Sequence, residues 1–198
     1  MAVKNVVVRR RIGSGVERVV YLHPVWEDIV IKINRDVPID RNEIDYAYLS
    51  RIETIPVLPK MYGWVETQLG RGLMFERIHD DDGKTSLNLV EALRWERITI
   101  EEGRSLLQEA LAALLKHGII LHDDENVNNF LVQNTASGRQ LILVDGFGPF
   151  VMTAKARLRM RFPRLGREKA LRSSYNLLAA YEKEVQKLWL EKTLLEDA

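Results

Sequence analysis

The chain changes character near Phe75 to Ile78, from strand patterning with one helix to helix patterning with one small hairpin. Before that point, short β-branched runs alternate with turn residues. Beyond it, apolar residues recur at helical spacing. Residues 6–12 read as a strand. Gly13, Ser14 and Gly15 break it before residues 19–22 resume it, which predicts a hairpin closed by a glycine loop. Residues 29–33 are a continuous β-branched run, a buried strand with Lys32 inside it. Residues 40–52 carry helix spacing through Ile44, Tyr48 and Ile52, with Asp40 as N-cap. Strands over 61–66 and 73–77 flank a turn at 68–72. Helices follow over 86–93 and 100–116. The second is amphipathic through Leu106, Leu107, Ala110, Leu111 and Leu114, and Gly118 stops it. A polar run, 122–129, leads into a hairpin of 130–132 and 141–144 around a turn at 134–138. From Thr153 the chain is helical and basic. This order predicts an α+β fold in a single domain, with one lobe over 1–75 and a second, mostly helical lobe over 76–198.

Composition removes several classes of function. The 198 residues include no cysteine, which excludes structural disulfides and thiolate metal sites. The four histidines show no zinc-enzyme spacing. A formal charge of +1 gives no overall drive towards nucleic acid, which is therefore not an expected partner. No apolar run approaches the roughly 20 residues that span a bilayer. Arg9, Arg10 and Arg11 stand where a signal peptide would carry its apolar stretch. A cytoplasmic protein without a membrane span is expected. Charge is unevenly placed, however: residues 155–172 carry eight cations against the single acid Glu168. Such a segment is either a solvated helix face or a contact for an anionic substrate or partner, with Arg157, Arg161 and Arg164 as contact candidates.

Four local features carry chemistry. Gly13 and Gly15, between two strands, let backbone N–H groups approach phosphate oxygens with no Cβ in the way, although the same pattern also makes an ordinary hairpin turn. Lys32, amid Ile and Val, needs a polar partner if buried, because an unpaired buried ammonium is costly. Glu43 on the following helix is the natural partner, with Asp45 one rotation off. The run from His122 to Asn129 holds acids and amides between two apolar segments, a composition suited to metal and proton work or to a solvated turn. Asp145, directly after a buried strand and before Gly146, is placed to hold a cation; Asp-Gly is also a common turn.

The order of these features resembles that of the protein-kinase-like superfamily: glycine loop, strand lysine, helix glutamate, hinge strand, H-x-D-x-x-x-x-N, strand, Asp-Gly. The resemblance implies a small bilobal protein-kinase-like fold with a minimal C-lobe, binding ATP and Mg²⁺. It assigns Gly13 and Gly15 to the phosphate loop, Val20 to the adenine cover, and Glu76 and Ile78 to the hinge. Lys32 and its partner Glu43 would hold phosphates, Asp124 would serve the acceptor hydroxyl, and Asn129 and Asp145 would hold the metal. Asp123 and Asn128 share the spacing of Asp124 and Asn129; the second pair is preferred because His122-x-Asp124 fits the motif.

A narrower resemblance is to the YrbL-like family of small bacterial kinase-like proteins, named for a member of the PhoP regulatory network. It is carried by G-x-G-x-x-R-x-x-Y from Gly13 to Tyr21, His23-Pro24, Ile31-Lys32-Ile33, the run from Pro59 to Thr67, and Asp82-Gly83-Lys84-Thr85-Ser86. The chain departs from the protein-kinase pattern in four places, one of them at Glu125 and Asn126, which follow Asp124 where protein kinases commonly carry a basic residue. Arg18 replaces the third glycine of the loop and is expected to reach a phosphate. Gly146 stands where Phe would follow the metal-holding Asp. No Ala-Pro-Glu segment follows, and with 53 residues beyond Asp145 the peptide-binding half is expected to be largely missing. An ATP- and Mg²⁺-dependent phosphotransferase with an unidentified acceptor is the expected function. A nucleotide-binding pseudokinase acting as a regulatory module is the alternative.

Overall fold

The computed structural model describes residues 5–36, 38–121 and 126–196. Its first half is an antiparallel five-stranded sheet in the order β1-β2-β3-β5-β4. The strands are β1 (Arg11–Ser14), β2 (Arg18–Leu22), β3 (Ile29–Asn34), β4 (Met61–Thr67) and β5 (Gly70–Glu76). Helix α1 (Arg41–Leu49) lies between β3 and β4 in sequence, and the Asp40 side chain caps it by accepting from the Glu43 N–H. The second half holds a three-stranded sheet of β6 (Leu87–Asn88), β7 (Phe130–Thr135) and β8 (Gly138–Leu143). With it are α2 (Leu89–Arg94), α3 (Ile100–Lys116), α4 (Ala154–Arg161) and α5 (Pro163–Glu196). The α+β order is therefore as the sequence predicts.

Several boundaries differ, each for a local reason. The first strand begins at Arg11, not at residue 6. The segment before it crosses the sheet, so that Val8 packs with Ile31, Ile33 and Val65 while Gln68 bonds both Val8 backbone groups (2.9 and 2.6 Å). The helix expected over 86–93 starts at Leu89, because Leu87 and Asn88 pair with Val132 and Leu131 and Asn88 then closes a capping box with Glu91. Helix α1 ends at Leu49, three residues short of Ile52. Hairpin turns are tighter than expected, with Thr67 opposite Gly70 and Thr135 opposite Gly138.

One hydrophobic cluster joins the two halves. Val30, Leu73 and Phe75 of the first sheet meet Leu107 and Leu114 of α3, Phe130 and Leu143 of the second sheet, and Tyr181 of α5. Fully burying a side chain of this kind contributes roughly 1.5–3 kcal/mol. Gly118, at φ 65°, ends α3 and turns the chain towards the cleft. Among the described residues no helix is long and apolar enough to cross a membrane.

Candidate functional site

A cleft of about 920 Å³ opens between the β1–β2 loop and the segments that lead into and out of the second sheet. Of the eleven residues expected to bind nucleotide or metal or to serve the acceptor, nine line it: Gly13, Gly15, Arg18, Val20, Lys32, Glu76, Ile78, Asn129 and Asp145. Glu43 does not. Asp124 lies outside the described residues, as do His122, Asp123 and Glu125.

The loop at the mouth is a short antiparallel turn in which the Gly15 N–H donates to the Arg18 carbonyl (2.9 Å). Arg35 holds it from below, with Nε on the Gly15 carbonyl (3.0 Å) and Nη2 on Ser14 Oγ (2.6 Å). On the hinge side, the Glu76 N–H donates to the Lys60 carbonyl and the Ile78 carbonyl accepts from the Ser86 N–H. Those two backbone groups are engaged within the protein.

Lys32 points inward from β3 and is 5% exposed. Its Nζ donates to the Val144 carbonyl at 2.5 Å and stands 4.6 Å from the centre of the Phe75 ring. Burial, and then the nearby Arg18 charge, pull its pKa down to about 8. The expected pair with Glu43 is not formed. Glu43 is on the outer side of α1, where Arg71 Nη1 lies 2.9 Å away and Arg71 itself stacks on Trp64. The inward carboxylate of α1 is Asp45, with no exposure, and its cations are Arg18 (2.6 Å) and Arg41 (3.0 Å) instead of Lys32.

Arg18 is the centre of this arrangement. It is 4% exposed and turns into the cleft from the start of β2. Nη1 bonds Asp45 Oδ2 (2.6 Å) and reaches Asn42 Oδ1 (3.3 Å), while Nη2 bonds Asp145 Oδ1 (2.6 Å). Burial alone would lower the Arg18 pKa, but the two carboxylates more than offset it and hold the guanidinium charged. Asp145 shows the converse. Burial works against its charge, yet Lys32 and Arg18 hold its carboxyl well below the usual carboxylate range.

Two residues of this network escaped the sequence reading. Arg41, buried, donates to the carbonyls of Phe147 (2.9 Å) and Pro149 (3.0 Å) and so fixes the loop that follows Asp145. Asn42 Nδ2 donates to the Lys32 carbonyl (2.8 Å), tying α1 to β3. The available signal was polar, not apolar: Arg41 and Asp45 stand one helical turn apart as an ion pair.

Asn129 closes a short 3₁₀ turn capped by Asn126, and its carbonyl accepts from the Val144 N–H (2.9 Å), which places it beside Asp145. Asn128 also lines the cleft. The oxygen donors suit a hard cation such as Mg²⁺. Asp145 Oδ1 is committed to Arg18 and to the Gly146 N–H, and its Oδ2 receives no hydrogen bond from the described residues. Among those residues no group of three or more acidic or histidine side chains gathers into a metal cage. Mg²⁺ is commonly held by one or two protein oxygen ligands together with other oxygens, so the Asp145 and Asn129 oxygens fit it.

The family model described as PhoP regulatory network protein YrbL matches residues 7–182, a span that includes every residue of the cleft. The chain belongs to that family. Curated relatives include the YrbL proteins of Escherichia coli (strain K12) and of Shigella flexneri. Each is 33% identical over 113 residues, 54% of this chain and 53% of the relative. The chain thus matches about half the length of these YrbL proteins.

Proposed function

We propose that this YrbL-family protein is a kinase-like, ATP- and Mg²⁺-dependent phosphotransferase whose acceptor is unidentified. The observation that carries the reading is the convergence of nine motif positions, spread from Gly13 to Asp145, on one cleft. In this reading the sheet half and the helical half act as the two lobes of a small kinase-like domain. The loop at Gly13 and Gly15 and the Lys32 ammonium bind the phosphates. Val20 and the backbone at Glu76 and Ile78 take the base, and Asn129 and Asp145 hold Mg²⁺. A metal held there would supply positive charge to offset that of the phosphates. Asp124 accepts the proton of the acceptor hydroxyl or orients it. Placement in the cytoplasm, where ATP is abundant, accords with this activity. Of the contact candidates, Arg157 is exposed and the side chains of Arg161 and Arg164 lie outside those described; with Lys155, Arg167 and Arg172 also exposed, the basic segment favours an anionic acceptor or partner.

A second reading has its own observation. Arg18 on Asp145, and Lys32 without a helix carboxylate, also suit a nucleotide-binding regulatory module that transfers no phosphoryl group. Mg·ATP should raise the melting temperature under either reading, since a ligand at a hundredfold excess over its Kd adds about 2.7 kcal/mol. A melting temperature unmoved by millimolar Mg·ATP would overturn both. Hydrolysis or transfer of the γ-phosphate by the purified protein, lost in Asp124→Asn with the melting shift kept, supports the enzyme; a shift without turnover supports the module.

A further inference from the structure

Arg18 stands where a kinase-like loop has its third glycine, and it fills a position that a divalent cation would also seek. Its guanidinium holds two carboxylates from distant parts of the chain, one on each terminal nitrogen, at equal distances of 2.6 Å. Their surroundings differ. Asp45 is fully enclosed, whereas the Asp145 side chain is 41% exposed towards the cleft. Asp45 has Arg41 as a second cation at 3.0 Å, and Asn42 adds a polar contact to the same Arg18 nitrogen. The grip on Asp45 is therefore dry and reinforced, while that on Asp145 borders solvent. An ion pair beside water exchanges partners far more cheaply than an enclosed one.

We infer that Arg18 is a built-in occupant of the cation site, holding Asp145 in the metal's place until a metal arrives with its phosphates. On exchange, Asp145 turns to the metal and Arg18 remains anchored on Asp45, which frees one face of its guanidinium for a phosphate oxygen. This rests on the reading of Asp145 as a metal-holding carboxylate. Free divalent ions are disfavoured, because a cation approaching Asp145 meets a guanidinium already in contact with it. A charge removed at such a distance alters affinity by on the order of tenfold or more.

The experiment needs no nucleotide. Mn²⁺ alone is titrated into the full chain and followed by the loss of its free electron-spin-resonance signal. Arg18→Gln should bind Mn²⁺ at least about tenfold more tightly than the parent protein, and adding Asp145→Asn should cancel that gain. Arg18→Gln/Asp45→Asn removes both buried charges together and serves as the second variant should the single one fail to fold. Equal Mn²⁺ affinities for parent and folded variant would overturn the inference, as would a gain that survives Asp145→Asn. These outcomes are independent of the ATP melting shift, so failure of the inference and failure of the functional reading are told apart.

Discussion

At the scale of single residues, the helix carboxylate shows what a sequence pattern can and cannot settle. Hydrophobic spacing on α1 points to a face through Ile44 and Tyr48. The face that is buried runs through Arg41, Asn42, Asp45, Tyr48 and Leu49 and is polar for its first turn. At about 100° per residue, Asp45 falls beside Tyr48 and Glu43 towards the opposite side; the expectation of Glu43 followed the kinase-like order and not this spacing, and the structure buries Asp45 and leaves Glu43 outside. The energetic consequence is large. Glu43 and Arg71 are each about half exposed, and such pairs contribute roughly 0–1 kcal/mol. Asp45 is enclosed between two arginines, and removing one member of a buried ion pair costs about 3–5 kcal/mol. Urea denaturation of Asp45→Ala and Glu43→Ala should therefore differ sharply, with the first destabilised by several kcal/mol and the second by less than about 1 kcal/mol. Equal losses would mean that the buried network is not formed. The Arg18–Asp145 contact had no local signal, since its partners are 127 residues apart.

At the scale of elements, most strands and helices were legible because each carries its own punctuation. Asp40, Thr99 and Thr153 cap α1, α3 and α4 by accepting from backbone N–H groups, and Gly118 ends α3. The departures arise where tertiary pairing overrode local pattern, as at Leu87 and Asn88, which β7 draws into a sheet. How α5 docks on α3 could not be read from either helix alone. Tyr181 is fully buried, and its hydroxyl donates to the Ile100 carbonyl at 2.6 Å; beside it, Arg104 forms two bonds with Glu182. Gly103 makes this closeness possible, because a Cβ there would lie 2.7 Å from the Tyr181 hydroxyl oxygen. Helix propensity favours alanine over glycine by about 1 kcal/mol. Overpacking against an immobile ring costs about 1–3 kcal/mol. Gly103→Ala should thus lower the melting temperature despite its better propensity, and the loss should shrink when Tyr181→Phe removes the obstructing oxygen. A rise in melting temperature for Gly103→Ala alone would show that α5 can move away.

At the scale of the whole molecule, the change of character near residue 76 marked two halves, but not how firmly they are joined. Among the described residues, several links cross between them, including the Lys32 bond to the Val144 carbonyl and the Tyr48 hydroxyl's bond from the Ile120 N–H. The hydrophobic cluster is continuous from Val30 and Phe75 to Leu107, Phe130 and Tyr181. Arg41 of α1 binds the carbonyls of Phe147 and Pro149, and Arg18 of β2 binds Asp145. Each is invisible to a local window, because the partners are far apart in the chain. Joined halves that share a core should unfold together, since neither can open without exposing the apolar surface of the other. The tryptophans allow this to be measured. Trp64 lies in β4 of the first sheet and Trp189 in α5. In two variants, one retaining only Trp64 and the other only Trp189, the remaining tryptophans being Phe, urea transitions followed by fluorescence should share one midpoint. They should also coincide with loss of helix signal in circular dichroism. Arg41→Met removes a link without leaving a cavity of its own size, and it should move both midpoints down by the same amount. Two separate midpoints in the parent background would show that the halves fold as independent units meeting only at the cleft.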